Sequence, residues 1–265
     1  MVALCVYFEN TMKLHSLAAA IAAASICGFA ADTAPKAGAL RVFASNGIQE
    51  VMKEIQPQAE RAIGRPLAIE FGLAASLGKR AEAGEAFDAA ILTTEGTDAL
   101  IKSGKIAAAT RVEVARVGIG LAVRAGTPKP DIGTPEAMKR TLLNAKSITY
   151  GRDGASRVYI EKMEERLGIA ADVKAKTILE EATPRPQERV AAGGAEILMT
   201  LISEILPFHA LDLVGPLPGD MQHYVSFAAG TAAHTANADA AKALFKFLKT
   251  PGLVPVFKAK GMEAR

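Results

Sequence analysis

The run Leu40-Arg-Val-Phe-Ala-Ser-Asn-Gly-Ile-Gln-Glu-Val-Met-Lys-Glu-Ile55 decides the fold class. Its first five residues read as a strand, because Val42 and Phe43 favour extended backbone and the turn-like Ser45-Asn46-Gly47 follows directly. Ile48, Val51, Met52 and Ile55 then recur at helical spacing, so a strand hands over to a helix through a loop of small residues. Pro57 is expected to interrupt that helix and Gly64 to close it. The unit then repeats. Leu67, Ile69 and Phe71 alternate as a second strand, followed by Gly72-Leu-Ala-Ala-Ser76 and a helix that stops before Gly84. Residues 87–92 make a third strand and residues 97–103 a short helix, ended by Gly104. Strands and helices alternating in this rhythm argue for parallel βαβ units rather than a sandwich or a bundle.

The same pattern runs to the end of the chain. Residues 111–124 are rich in β-branched residues, and Pro128 and Pro130 break the chain sharply after them. Thr134-Pro135-Glu136 starts a helix well, with a hydroxyl cap, a proline in the first turn and an acid that suits the dipole. Strands are expected at 147–150, 173–179, 195–200 and 224–229, and helices at 157–167 and near 187–192. Residues 237–250 form an amphipathic helix with Ala241, Leu244, Phe245 and Leu248 on one face. The expected architecture is α/β in two lobes, each a mostly parallel sheet flanked by helices. Lobe 1 takes residues 39–122 plus 228–265, and lobe 2 takes residues 123–227.

The first thirty residues read as an export signal. Lys13 precedes an apolar run from Leu17 to Ala31, which is short for a bilayer span and ends in the small residues Gly28 and Ala30. Cleavage is expected after Ala30, with translation starting at Met1 or Met12, and the protein is expected in the periplasm. Both cysteines, Cys5 and Cys27, fall in this segment. The bulky Ile26 before Cys27 argues against lipid attachment. The remaining chain of about 235 residues is then free of cysteine, which excludes a disulfide scaffold and a thiolate metal site. Half of all residues are hydrophobic and 22% are charged, enough to bury a core. The net charge of +3 comes from 31 basic and 28 acidic residues without a long basic block, so no nucleic-acid partner is expected.

Open α/β sheets bind ligands beyond the carboxyl ends of their strands, where the next helices begin. Three such loops here combine small hydroxyl or amide side chains with a helix start: Ser45-Asn46-Gly47, Ala75-Ser76 and Gly154-Ala155-Ser156. Each suits an anion. Taken singly, each could equally be a plain helix cap. Three of them split between two lobes point to a shared cleft.

Leu40-Arg-Val-Phe-Ala-Ser-Asn-Gly47, Phe71-Gly-Leu-Ala-Ala-Ser76 and Phe87-Asp-Ala-Ala-Ile-Leu92 together resemble the exported solute-binding proteins of the molybdate-binding type. The likeness extends over the chain after the signal, with residues 194–204 and the last helix in family order. It implies two lobes joined by two hinge strands, an oxyanion held between them, and an ABC permease in the membrane that receives it. A monomer is expected, and no residue pattern calls for a metal or an organic cofactor. Matched by motif, Ser45 and Ser76 correspond to the serines of the first lobe, Ala155 or Ser156 to a backbone donor of the second, and the segment near Thr183 to a further donor. Where molybdate binders carry a tyrosine at a strand end, this chain reads Leu198-Met-Thr-Leu201, leaving Thr200 there. The resemblance is therefore to a divergent branch with a different anion.

Arg152 and Arg157 flank the third loop, and Arg185 and Arg189 the next one. Guanidinium forks suit carboxylates, so a di- or tricarboxylate is the sharper expectation for the ligand. Lys79, Arg80 and Arg189 are expected on solvated helix faces. An enzyme is the alternative: relatives of such binders include an aconitate isomerase, whose chemistry requires a general base. Asp153, Tyr150 and Glu204 are the candidates. Gly118-Ile-Gly120 lacks the third glycine of a dinucleotide fingerprint, and His209, His223 and His234 have no metal-ligand spacing.

Overall fold

The computed structural model of the protein describes residues 38–181 and 183–265. The expected signal at 1–30 and both cysteines lie outside the described residues. None of the described helices is long and apolar enough to cross a membrane.

The first half of the chain folds as the alternation predicts. β1 (Leu40–Ser45) leads through a 3-10 turn at Asn46–Ile48 into α1 (Gln49–Ile63), then β2 (Leu67–Gly72), α2 (Ala74–Glu82), β3 (Ala89–Thr93) and α3 (Thr94–Lys102). β1 pairs in parallel with β2 on one side and β3 on the other. Pro57 does not interrupt α1, which runs through it. The proline is exposed, so the carbonyl it leaves unpaired one turn earlier sits on the wet face of the helix. Val51, Met52, Ile55 and Ala59 bury the opposite face.

β4 (Val112–Arg124) is a thirteen-residue strand shared between two sets of partners. Up to Gly118 it pairs with β9 (Tyr224–Thr231) and β10 (Met262–Ala264). From Ile119 onward it pairs with β7 (Ile197–Leu201) and β8 (Leu211–Pro216). Before β7 come α4 (Pro135–Asn144), β5 (Ile148–Gly151), α5 (Arg157–Arg166), α6 (Ala170–Lys174), β6 (Thr177–Glu180) and α7 (Arg185–Ala191). α8 (Ile202–Ile205) follows β7 without a break, and α9 (Ala238–Leu248) and α10 (Val254–Ala259) precede β10. β5 lies parallel between β6 and β7, so the second half repeats the parallel triplet of the first. The chain is thus a two-lobed α/β protein whose strand order, β2-β1-β3-β9-β4-β7-β5-β6, passes from one triplet to the other through β9 and β4.

The differences from the sequence reading include two segments of the second lobe. The expected strand at 173–179 begins as helix, because Val173 is buried as part of α6 and only Thr177–Glu180 pairs with β5. β8 was not foreseen; its ladder to β4 carries a register shift that its short Leu-Asp-Leu-Val-Gly-Pro sequence does not announce. The last helix buries Ala241, Leu244, Phe245 and Leu248 as expected, with α9 packed on α1 and β9.

Two polar clamps hold the frame. The buried Asp88 accepts from the Arg41 backbone N–H at 2.8 Å, from the Thr235 hydroxyl at 2.6 Å and from the Asn237 amide at 3.1 Å. Burial opposes its ionisation, but these donors outweigh burial and hold the carboxyl below its ordinary range. At the switch in β4, the Gln222 side chain accepts from the Ile119 N–H at 3.0 Å and donates to the Ile119 carbonyl at 2.9 Å. Gly118 leaves room for it: a Cβ there would lie 2.9 Å from the Gln222 amide nitrogen. That close approach accounts for a glycine in the Gly118-Ile-Gly120 stretch.

Candidate functional site

The carboxyl ends of β1, β2 and β3 share one edge because the three strands are parallel neighbours, and Ser45 stands directly beside Gly72 in the register. The helices that start there are left largely uncapped. Neither Ser45, before the 3-10 turn, nor Leu73, before α2, offers a side-chain cap. Only Thr93 caps, accepting from the Gly96 N–H at 3.2 Å at the start of α3. In the second lobe α5, α7 and α8 begin without side-chain caps after Ser156, Pro184 and Leu201. Helix starts leave backbone N–H groups unpaired, and the partial positive charge there favours an anion.

The two edges face each other across a cleft of about 430 Å³. Ala75, Thr93 and Glu95 line it from the first lobe, and Asp153, Ala155, Arg157, Tyr159 and Glu161 from the second. A direct link joins the lobes beside it: the buried Ser203 hydroxyl donates to the Gly47 carbonyl at 2.7 Å. Gly47 has to be glycine for this approach, since a Cβ would lie 2.5 Å from Phe227 Cζ and 2.8 Å from Leu201 Cδ1.

The structure sorts the sequence candidates. Ser45 is buried at the end of β1, Asn46 is half-buried and Ser76 is exposed in the first turn of α2; none of these three side chains makes a hydrogen bond with a described residue. Ser156 is buried and its hydroxyl is equally free, while Ala155 lines the cleft. Arg152 is exposed, with a guanidinium that pairs with no described carboxylate. Arg157 is committed elsewhere: it donates to the Arg152 carbonyl at 2.7 Å and pairs with Glu161 at 2.8 Å. The i,i+4 spacing of Arg157 and Glu161 on a helix was the signal for that pair. Arg80 and Arg189 are likewise paired, with Glu70 and Glu85 and with Glu180.

Thr183 and Thr200 turn toward the protein's own acid. The Thr200 hydroxyl donates to Glu204 at 2.6 Å and the Thr183 hydroxyl donates to the other oxygen at 3.3 Å. Burial pushes the Glu204 carboxyl up, against these two donors and the Leu201 backbone. Tyr150 lies in the hydrophobic core and is not among the residues that line the cleft; burial drives its hydroxyl far above the usual phenol range. Asp153 is exposed at the cleft wall.

Several cleft residues carried no sequence signal. Tyr159 stacks on His223 with ring centroids 3.4 Å apart and planes within 11°. Burial lowers the His223 pKa, with Glu95 acting in the opposite sense. The partners come from α3, α5 and the segment before β9, far apart in sequence. The lining therefore carries Glu95, Asp153 and Glu161 against Arg157 alone. Among the described residues no three His, Cys, Asp or Glu side chains converge to hold a metal ion.

A family model described as bacterial extracellular solute-binding protein matches residues 40–263. An aconitate isomerase from Pseudomonas sp. is 29% identical over 232 residues, covering 84% of this chain and 87% of the relative. Among solved structures, the periplasmic molybdate-binding protein of Azotobacter vinelandii superposes with a TM-score of 0.71 at 16% identity, over 84% of this chain and 98% of that one. The sulfate-binding protein of Mycobacterium tuberculosis gives 0.69 at 13% identity, over 84% and 86%.

Proposed function

We propose, on the premise that this chain belongs to the bacterial extracellular solute-binding protein family, that it captures a small anion between its lobes. The observation that carries this reading is the set of unengaged donors at the uncapped helix starts: Ser45, Asn46 and Ser76 in the first lobe and Ser156 in the second. The acidic lining of the cleft opposes capture by charge alone, and Arg157 is spent on Glu161. Recognition therefore relies on hydroxyls and backbone N–H groups aimed at the anion, with Arg152 as the available guanidinium.

The movable joint in this reading lies at Gly118–Ile119 of β4 and in residues 217–223, which return to the first lobe. This is a few residues earlier than the lobe limits at 122 and 227 expected from sequence. The Gln222 clamp on Ile119 holds the two crossings in register while the lobes close. Export through residues 1–30 would bring the chain to the periplasm as a monomer that hands its ligand to an ABC permease.

The test is a thermal-shift panel of molybdate, tungstate, sulfate, phosphate, citrate and both aconitate isomers. A ligand specific to the folded state adds about 2.7 kcal/mol at a hundredfold excess over Kd, so the right anion raises the melting temperature by several degrees. A panel without any shift overturns the reading.

The 29%-identical aconitate isomerase supports a second reading, an isomerase acting on a tricarboxylate. A base removes a proton from one carbon of the bound acid and a proton returns at another as the double bond moves. Of the three candidates, Asp153 stands at the cleft wall and Glu204 is held by Thr183 and Thr200. Incubation with trans-aconitate separates the readings: appearance of the cis isomer favours the enzyme, and tight binding without turnover favours the binder.

A further inference from the structure

A second cavity lies apart from the cleft. It measures about 800 Å³ and opens in the second lobe at the amino ends of β5 and β7, the edge opposite the helix starts. Its floor is apolar: Val123, Ala137, Ala195 and Ile197 line it and are buried. Its rim is cationic. Arg124, Arg140 and Lys146 are exposed there, and none forms an ion pair with a described carboxylate. The two acids of the rim are each turned to a backbone N–H, Asp131 to Gly133 at 2.9 Å and Glu196 to Lys146 at 2.6 Å.

Volumes of this size, with an apolar floor and a few converging polar groups, are those of small-molecule sites. Several guanidinium groups of this protein are matched: Arg80, Arg111, Arg116, Arg157, Arg166 and Arg189 all hold carboxylates. Arg124 and Arg140 hold none among the described residues, and both stand over the same cavity. An arginine fork binds a carboxylate through two parallel hydrogen bonds, and two forks accommodate two carboxylates or share one. We infer that the second lobe carries a separate site for an organic carboxylate with an apolar body, held by Arg124 and Arg140 at its charged end and by Val123, Ala137 and Ile197 at the other. Because the site lies within one lobe, its occupant does not compete with the ligand of the cleft.

The probe is isophthalate, a rigid dicarboxylate with an aromatic body, titrated into the full chain and followed by amide chemical shifts. Saturating shifts at residues 124–147 and 193–197 are expected at millimolar concentration. Loss of two charge-assisted contacts in Arg124→Gln/Arg140→Gln weakens binding by about tenfold or more. Ser45→Ala/Ser76→Ala, which tests the cleft, leaves this titration unchanged. Shifts confined to cleft residues, equal affinity in the arginine double variant, or no saturation by about 10 mM each overturn the inference.

Discussion

The two lobes meet the cleft with the same construction, a parallel triplet of strands feeding helix starts, yet they leave their polar groups in opposite states. In the first lobe the side chains of Ser45, Asn46 and Ser76 make no hydrogen bond with a described residue. In the second, Thr183 and Thr200 hold Glu204 and Arg157 holds Glu161, while Ser156 and Arg152 make no side-chain bond with a described residue. A free hydroxyl offers a ligand its full hydrogen-bonding capacity, whereas an engaged one has to break a bond first. The contrast teaches that one fold can leave its polar groups in different states: in the first lobe these side chains are unengaged, and in the second Thr183 and Thr200 are turned inward around the protein's own acid.

The strongest way to break this comparison is to separate the lobes where they touch. Gly47→Val places a branched side chain against Phe227 and Leu201 and displaces the carbonyl that Ser203 binds. The expected loss is about 3 kcal/mol of unfolding free energy, read by urea denaturation. A loss below about 0.5 kcal/mol shows that the contact is not tightly packed.

A smaller effect sharpens the second lobe. Thr200→Val removes a donor from the buried Glu204 carboxyl and costs about 1–3 kcal/mol where that group is ionised. The Glu204 pKa is raised in the folded state, so the ionised form is the costly one and the penalty of Thr200→Val grows as pH rises. Denaturation of both proteins at acid and alkaline pH checks this; a penalty independent of pH contradicts it.

Smaller still is the effect of Glu164, a buried acid of α5 with one oxygen that finds no partner. Burial, and secondarily Glu161, pushes its pKa to about 7. Between the unfolded value, about 4.5, and that point the folded state holds a proton that the unfolded chain releases. Stability therefore falls as pH rises through this window, by on the order of 1–2 kcal/mol. Glu164→Gln should flatten that part of the profile, and an unchanged slope would assign the dependence to other groups.

How much of this was legible beforehand follows from range. The βα units, the helix start at Thr134 and the buried face of α9 rest on neighbours within a few residues, and periodicity shows them. Pro57 misled because the rule concerns the lost hydrogen bond, which an exposed helix face gives to water. Residues 173–179 misled because a short apolar run fits a helix turn and a strand equally. The serine loops were legible as helix starts. What occupies Thr183 was not, since Glu204 lies 21 positions away, and the four-residue step from Thr200 to Glu204 crosses from β7 into α8, where neither strand nor helix spacing applies. The link from Ser203 to Gly47 spans 156 positions, and no local pattern encodes it.

The central claim is that the first lobe supplies the decisive donors. Isothermal titration of the anion selected by the panel, into wild type, Ser45→Ala/Ser76→Ala and Ser156→Ala, tests it most directly. The account predicts a loss of about tenfold or more in the first-lobe double variant, with unliganded stability unchanged and a smaller loss in Ser156→Ala. Equal affinity in wild type and the double variant would reduce Ser45 and Ser76 to residues at helix starts and contradict the account.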